Sequence, residues 1–391
     1  MTGPFDSLGI DISEKCNLRC AYCFEIASGL TSVQPVKLEK LFKGIDSFLE
    51  KLKPPEVKKL HFHFGRREPL LNFPQLSEIT SYLCMKGDAL SFQPMFHLTT
   101  NGTCLNLEIV RFLRQHSFDL RISIDGFQKL HDTNRKFKNG VGTFARIYSN
   151  LKLLKKENVS FTANTVYLPG SNYQEICSFF NDLGVKRVDF FPLWVPDNDP
   201  VWAQHETIKS KTLKKIDEWA ESLQQSLLSE SGAIGIKVVQ VEKYLQHLFG
   251  FRSSSYYCGA GRNYVGITSN GSFYPCLKFI NSDDWVLGNF WDGIDFAAVN
   301  TYLKKVAPPV DKLYPCNGCS IKLACKGLCY VNRLNISHHR KAFDFYCSFQ
   351  RSLFELTKRL YDGLKNQKPE VLVQMANLNK YVEAGFTMAN G

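Results

Sequence analysis

Residues 16–23 read CysAsnLeuArgCysAlaTyrCys. A Cys-x3-Cys-x2-Cys run supplies three thiolates from one short turn. Tetrahedral structural zinc takes four protein ligands, so three fall short of a closed zinc site. A [4Fe–4S] cubane held by three thiolates keeps one iron free to bind something else. A redox-sensing or zinc-binding cysteine loop is the alternative that this spacing alone leaves open.

Working outward, the 391 residues exceed one ordinary core, so two domains are the default expectation. Hydrophobic residues make up 44%, which excludes a disordered chain. No run approaches about 18 uninterrupted apolar residues, so no membrane span is predicted. The N-terminus lacks a basic stretch followed by an apolar one, so it is no signal peptide, and a cytoplasmic location is expected. Thirteen cysteines in such a chain argue for metal ligation, since cytosolic disulfides are rare and an odd count cannot pair fully. The net charge of +11 is spread along the chain, which argues against nucleic acid and suits an acidic peptide partner.

Between residue 5 and about residue 195, short apolar runs alternate with helical patterns. Strands are expected at 5–12, 59–64, 95–100, 120–124, 161–166 and 188–192, and helices at 36–52, 75–86, 105–116, 143–156 and 173–182. Such alternation implies βαβ units with right-handed crossovers, a parallel sheet and a barrel or open barrel. Function in such barrels sits at the C-terminal ends of the strands.

The cysteine loop, with Tyr22 before its last cysteine, resembles the signature of radical S-adenosylmethionine (SAM) enzymes. The resemblance implies a partial (β/α)6 radical SAM barrel over residues 1–235. It also implies that Cys16, Cys20 and Cys23 hold a [4Fe–4S] cluster whose free iron chelates the amine and carboxylate of SAM. One electron then breaks a sulfonium C–S bond and releases a 5′-deoxyadenosyl radical. PheGlyArgArgGluProLeuLeuAsn at 64–72 resembles the family's Gly-Gly-Glu-Pro motif, whose backbone approaches the methionyl amine. Glu68 and Pro69 match, but Arg66 and Arg67 replace the glycines, so either the loop is adjusted or the contact comes mainly from Glu68 and carbonyls. Those arginines face either an acidic substrate or solvent. ThrThrAsnGlyThr at 99–103 resembles a family turn that would place Asn101 and Gly102 near the SAM ribose or carboxylate. SerIleAspGly at 123–126, with His131, Asp132, Arg135 and residues 142–144, resembles a stretch of the peptide- and protein-modifying members. Ser123 joins the SAM-facing set, and Asn164 is a ribose contact on resemblance. Asp125 is the candidate substrate-facing carboxylate and proton acceptor, with a turn aspartate satisfying backbone amides as the alternative.

A polar helix at 207–231 and a strand-like segment at 235–241 lead into seven further cysteines. Residues 264–276 read as a hairpin turning at Asn270-Gly271. The pattern Cys-x12-Gly-x4-Cys, then Cys-x2-Cys-x5-Cys-x3-Cys, then a last Cys resembles the SPASM domain, here 236–350, with a β-hairpin and helices. A zinc ribbon would leave three of the seven unused. The resemblance implies two auxiliary [4Fe–4S] clusters, an inner one on Cys258, Cys276 and Cys329 and an outer one on Cys316, Cys319, Cys325 and Cys347. Some relatives add an eighth cysteine that 259–264 lacks, which leaves the fourth iron of the inner cluster open or capped by another group. Cys84 and Cys177 are expected as small core residues. A helical tail broken at Pro369 occupies 351–391.

The resemblance thus implies a maturase with three [4Fe–4S] clusters and SAM that modifies a ribosomally synthesised precursor peptide. The expected product is an oxidative C–C, three-residue cyclophane-type crosslink, with thioether (sactionine-type) crosslinking or formylglycine generation of the sulfatase-maturase kind as alternatives. An external electron donor is required. Because the chain starts straight into its first strand, no appended leader-binding domain is expected. An acidic leader would add to a sheet edge or be held by a separate leader-binding protein.

Overall fold

Alternation of side chains along the strands builds the first layer. In Lys59–Phe64 the apolar Leu60, Phe62 and Phe64 are buried while His61 and His63 point to the other face. The computed structural model describes residues 5–12, 15–27, 37–52, 58–228, 235–251 and 254–379. Its chain order begins β1 (Ser7–Asp11), α1 (Phe24–Ala27), α2 (Leu38–Lys51), β2 (Lys59–Phe64), α3 (Phe73–Leu90), β3 (Gln93–Thr100), α4 (Leu107–Gln115), β4 (Asp119–Ser123), α5 (Gln128–Asn134) and α6 (Phe144–Lys156). It continues through β5 (Phe161–Tyr167), α7 (Tyr173–Asp182), β6 (Arg187–Pro192), α8 (His205–Leu228), β7 (Lys237–Val238) and α9 (Val239–Leu248). The last third holds β8 (Tyr264–Thr268), β9 (Ser272–Tyr274), β10 (Gly288–Asn289), β11 (Gly293–Ile294), α10 (Phe296–Lys305), α11 (Lys322–Cys325), α12 (Tyr330–Leu334), α13 (Arg340–Leu364) and α14 (Pro369–Met375).

Two compact units share these elements. The first comprises residues 1–123, 128–161 and 258–308, and the second 124–127, 162–257 and 309–391. In the first unit β1 to β4 run parallel in chain order, and β8 joins the free edge of β1, also parallel. Gly9 of β1 lies opposite Gly266 of β8, and a Cβ on Gly9 would collide with the Tyr264 ring, so the close approach requires glycine. From β8 the sheet continues antiparallel through β9 to β11. The β8–β9 hairpin turns where expected, with Gly271 at φ +84°. In the second unit β5, β6 and β7 are parallel. Strands alternating with helices, followed by a cysteine-rich part with a hairpin and helices, form the α/β partial barrel and appended region anticipated from the pattern.

Two local expectations differ from the structure. The strand-like segment 235–241 is a strand only at Lys237–Val238 and turns helical from Val239. Val239, Gln240, Val241, Glu242, Tyr244 and Leu245 are all buried, so tertiary packing of the helix overrode the β-branched run. Cys84 is half-exposed on α3 rather than a core residue, whereas Cys177 is buried as expected. The helix of the tail starts earlier, at Arg340, and Pro369 opens α14, where its missing N–H costs no hydrogen bond. Phe345, Phe349, Leu353, Leu356, Leu360 and Leu364 form the buried stripe of α13 against α8 and α9. No described helix is long and apolar enough to cross a membrane.

Candidate active site

The chain leaves β1 at Asp11 and forms the cysteine loop beyond its end. That loop is held from two directions. On one side it pairs with residues 134–137: Arg19 N–H donates to the Lys136 carbonyl (2.8 Å) and Ala21 N–H to the Asn134 carbonyl (2.9 Å). The Arg135 guanidinium lies 5.3 Å from the Tyr22 ring centroid, a cation–π contact. The stretch supplying this support is itself knotted. Thr143 Oγ1 donates to the Arg135 carbonyl (3.0 Å) and therefore accepts from His131 Nε2 (2.9 Å), while Asp132 Oδ1 accepts from Phe144 N–H (2.9 Å). His131, Asp132, Arg135 and 142–144, noticed together in the sequence, thus form one supporting piece under the loop.

On the other side the loop is tied to the turn after β3. Asn17 Nδ2 donates to Thr103 Oγ1 (2.8 Å), and Asn101 Nδ2 donates to Asn17 Oδ1 (2.9 Å). Asn101 Oδ1 accepts from both the Thr103 N–H (2.9 Å) and its hydroxyl (2.6 Å). Gly102 adopts φ +75°, and its carbonyl accepts from Asn150 Nδ2 (2.8 Å). Beneath this turn Glu68 is fully buried. Its Oε1 accepts from Leu70 N–H (3.1 Å) and Thr100 Oγ1 (2.6 Å), and its Oε2 from Asn101 N–H (2.7 Å). Burial pushes the Glu68 carboxyl up to about 7, against the opposing pull of these three hydrogen bonds. Pro69, buried, opens the short 3-10 turn that Glu68 caps.

Cys16, Cys20 and Cys23 lie within electrostatic reach of one another. The Cys16 thiol is pushed up to about 11, first by burial and further by Glu68, Cys20 and Cys23, with the Leu18 N–H (3.5 Å) opposing. Cys20 and Cys23 both disfavour ionisation of the Cys16 thiol, so the three thiols on one turn form a donor set that a bound cationic centre would relieve. No cysteine among the described residues is in a disulfide, as metal ligation requires.

In the second unit, Cys316, Cys319, Cys325 and Cys347 converge on one cavity of about 520 Å³. Burial raises the Cys325 thiol to about 11 and Cys347 to about 12, and the neighbouring thiols add to the shift. This set also fits a metal cluster. Cys258 and Cys276 belong to the first unit, near the half-buried Tyr264, and Cys329 immediately precedes α12 in the second.

Of the other anticipated residues, Ser123 ends β4 and Asn164 lies on β5, its carbonyl accepting from Ile124 N–H (3.0 Å). Asp125 is fully buried, and its Oδ1 accepts from Val166 N–H (3.0 Å), the backbone-satisfying arrangement left open by the sequence. Asn17, Thr103 and Asn150 were missed. Asn17 sits inside the quoted loop and Thr103 inside the quoted turn, and the sign for Asn150 is a polar side chain on the apolar Ile147–Leu151–Leu154 face of α6. Asp11 and Glu25 were missed as well, and both bind Arg66.

Comparison with known proteins agrees with this geometry. The family model described as the radical SAM superfamily matches residues 10–183. A cysteine-type anaerobic sulfatase-maturating enzyme of Clostridium novyi is 24% identical over 361 residues, covering 88% of this chain and 92% of its own. The solved structure of native anSMEcpe with bound AdoMet and Cp18Cys peptide superposes with TM-score 0.72 at 24% identity, covering 93% of this chain and 99% of that one. Streptococcus suis SuiB bound to precursor peptide SuiA shares the fold at TM-score 0.56 and 17% identity, over 85% and 73% of the two chains. The three-cysteine loop at the end of β1, knotted to the turns after β2 and β3 and followed by a cysteine-rich part, thus lies in a radical SAM domain that spans residues 10–183 of the chain.

Proposed function

We infer that the chain is a radical SAM maturase that modifies a ribosomally synthesised peptide. The observation that carries this reading is the cysteine loop, whose three thiolates are presented by a fixed frame of Asn17, Asn101, Thr103 and Glu68. Cys16, Cys20 and Cys23 would hold the SAM-binding [4Fe–4S] cluster. When bound there, the cluster supplies the electron that splits SAM and releases the 5′-deoxyadenosyl radical. Cys316, Cys319, Cys325 and Cys347 would hold an auxiliary cluster, and Cys258, Cys276 and Cys329 are assigned to another on the sequence pattern alone.

The chain's own residues set the stage for that chemistry. Glu68 spends both carboxylate oxygens on Leu70, Thr100 and Asn101, so it shapes the two flanking turns and leaves the SAM amine to backbone groups of residues 64–69. Asn101 locks the loop to the β3 turn, and Tyr22 is held in place by Arg135. Ser123 and Asn164 complete the SAM-facing set by resemblance. Asp125 joins the residues after β4 to β5, and proton acceptance there is the role assigned to it by resemblance.

A peptide substrate is supported by two structures of similar fold that hold peptides, the anSMEcpe–Cp18Cys peptide complex and SuiB with its precursor SuiA. We favour an oxidative C–C crosslink as the product, on the resemblance of 123–126 and 131–144 to peptide- and protein-modifying members and on the missing eighth cysteine and the Arg66–Arg67 pair, which point away from the sulfatase-maturase kind. Formylglycine generation is the second reading, favoured by similarity along nearly the whole chain to a sulfatase-maturating enzyme. The net charge of +11 supports an acidic leader, and an external donor would deliver the electron.

The test is anaerobic reconstitution with iron and sulfide, then SAM, dithionite and a candidate peptide encoded beside the gene. The reading requires 5′-deoxyadenosine and a peptide lighter by two hydrogens. A crosslinked peptide is unreactive toward hydrazide; formylglycine reacts as an aldehyde, having lost the same two hydrogens if made from serine and having also exchanged its sulfur for a water oxygen if made from cysteine. A thioether consumes a peptide cysteine that iodoacetamide otherwise labels. Absence of 5′-deoxyadenosine from a fully loaded protein sinks the assignment.

A further inference from the structure

Where the family motif has two glycines this chain has Arg66 and Arg67. The substitution has not unfolded the turn. Arg67 sits at φ +54°, the left-handed conformation that glycine adopts freely. Nor do the side chains point into solvent as charged surface residues do. Arg66 is 6% exposed, and all of its contacts are directed. Its Nε donates to Glu25 Oε1 (2.7 Å) and its Nη2 to Glu25 Oε2 (2.9 Å), a two-pronged pair. Its Nη1 donates to Asp11 Oδ2 (2.6 Å). Arg67 Nε adds a longer contact to Glu25 Oε2 (3.5 Å). Asp11 and Glu25 are 9% and 7% exposed, so two cations and two anions make a neutral, buried group.

The positions of the two carboxylates decide what the group does. Asp11 is the last residue of β1, immediately before the cysteine loop, and Glu25 lies two residues after Cys23, on α1. One guanidinium therefore grips both ends of the loop. The same turn is fastened to the loop's entry by Glu68 N–H to the Lys15 carbonyl (3.4 Å) and by Asn72 Nδ2 to the Ile12 carbonyl (2.5 Å).

We propose that Arg66 is a positioning residue that clamps the two ends of the cysteine loop, replacing the close glycine backbone of the family motif with a side-chain clasp that fixes how Cys16, Cys20 and Cys23 are presented. The proposal rests on the assignment of the SAM-binding cluster to those three cysteines. A planar fork is needed for the role. Lysine keeps the charge but reaches only one carboxylate at a time.

The test uses the full chain, reconstituted, with two variants. The Arg66→Met, Glu25→Gln, Asp11→Asn triple variant removes the clasp together with both carboxylates it neutralises, leaving Arg67 as the one charge of the group, and Arg66→Lys keeps the charge. Far-UV circular dichroism and thermal melting establish that each folds. Two readouts then follow: the rate at which a ferrous chelator strips iron, and the change in the electron paramagnetic resonance spectrum of the reduced protein on adding SAM. The triple variant should lose the iron ascribed to the N-terminal site about 10- to 100-fold faster, the range seen when supporting residues of a metal site are removed. Its SAM-induced spectral change should broaden or vanish, and iron at the auxiliary sites should leave at the wild-type rate. Arg66→Lys should fall between, and it alone decides the matter if the triple variant does not fold. Wild-type stripping rates and SAM response in the variants that fold overturn the clasp while leaving the functional reading intact. A wild-type protein without any SAM response overturns the cluster assignment and the clasp with it.

Discussion

Arg66 and Glu68, two residues apart on one turn, are buried for opposite electrostatic reasons, and each makes a measurable prediction. Arg66 neutralises two carboxylates that have left water. Arg66→Ala takes from buried Asp11 and Glu25 the guanidinium they share, leaving Glu25 its longer contact to Arg67, which costs about 3–5 kcal/mol, read as a lower midpoint in urea unfolding. Arg67→Gly gives up the 3.5 Å contact to Glu25 and regains an unstrained left-handed residue. It should change stability by no more than about 1 kcal/mol. Glu68 is paired with no cation among the described residues. Its carboxyl is raised from 4.5 to about 7, chiefly by burial, so the folded protein holds a proton that the unfolded chain has released. The sign follows from linkage: between those two values the native state binds more protons than the unfolded state, so stability falls as pH rises. Metal-free protein should therefore lose stability between about pH 4.5 and 7, and Glu68→Gln should flatten that slope. A wild-type profile rising across this window would refute the assignment.

At the level of elements, the cysteine loop is not a free loop but a strand-like segment paired with residues 134–137 and stacked through Tyr22 on Arg135. Arg135→Ala removes a buried cation over an aromatic face, a contact worth about 1–2 kcal/mol. It should speed hydrogen exchange at the Arg19 and Ala21 amides while leaving those of β2 and β3 protected. Equal speeding throughout would mean global destabilisation instead. The parts of this arrangement were legible in the sequence to unequal degrees. Cys16, Cys20 and Cys23 stand out because their spacing is chemical, and β2 because LysLeuHisPheHisPhe alternates strictly. The segment 131–144 drew notice, but its docking under the loop is a contact between residues over a hundred positions apart, and no local periodicity encodes that. Arg66 was read as facing substrate or solvent because a charged residue is exposed by default, and only the placement of Asp11 and Glu25 makes burial affordable. The 235–241 run misled because a short valine-rich stretch fits a strand and a buried helix equally well.

For the whole molecule, the cysteines divide between the two compact units. Cys16, Cys20 and Cys23 lie in the first unit, while Cys316, Cys319, Cys325 and Cys347 share one cavity in the second. Each set is built by its own neighbours: the first by Asn17, Asn101 and the 134–137 segment, the second by the start of α13 and the turn at Gly327, whose carbonyl accepts from Tyr346 Oη (2.9 Å). A thiolate set formed within one unit has no structural need of the other, so loss of one cluster should not empty the other site. Replacing Cys16, Cys20 and Cys23 together by Ala should abolish 5′-deoxyadenosine formation and lower iron and sulfide by one cluster's worth. The Cys316→Ala, Cys319→Ala double variant should lose a comparable amount of iron yet still cleave SAM when given dithionite, failing instead at product formation. Iron and sulfide analysis with chromatography of 5′-deoxyadenosine distinguishes the cases. If the double variant lost SAM cleavage as fully as the triple one while remaining folded, the second cavity would have to support the first site rather than serve a later part of the reaction, and the division of labour argued from the two thiolate sets would fall.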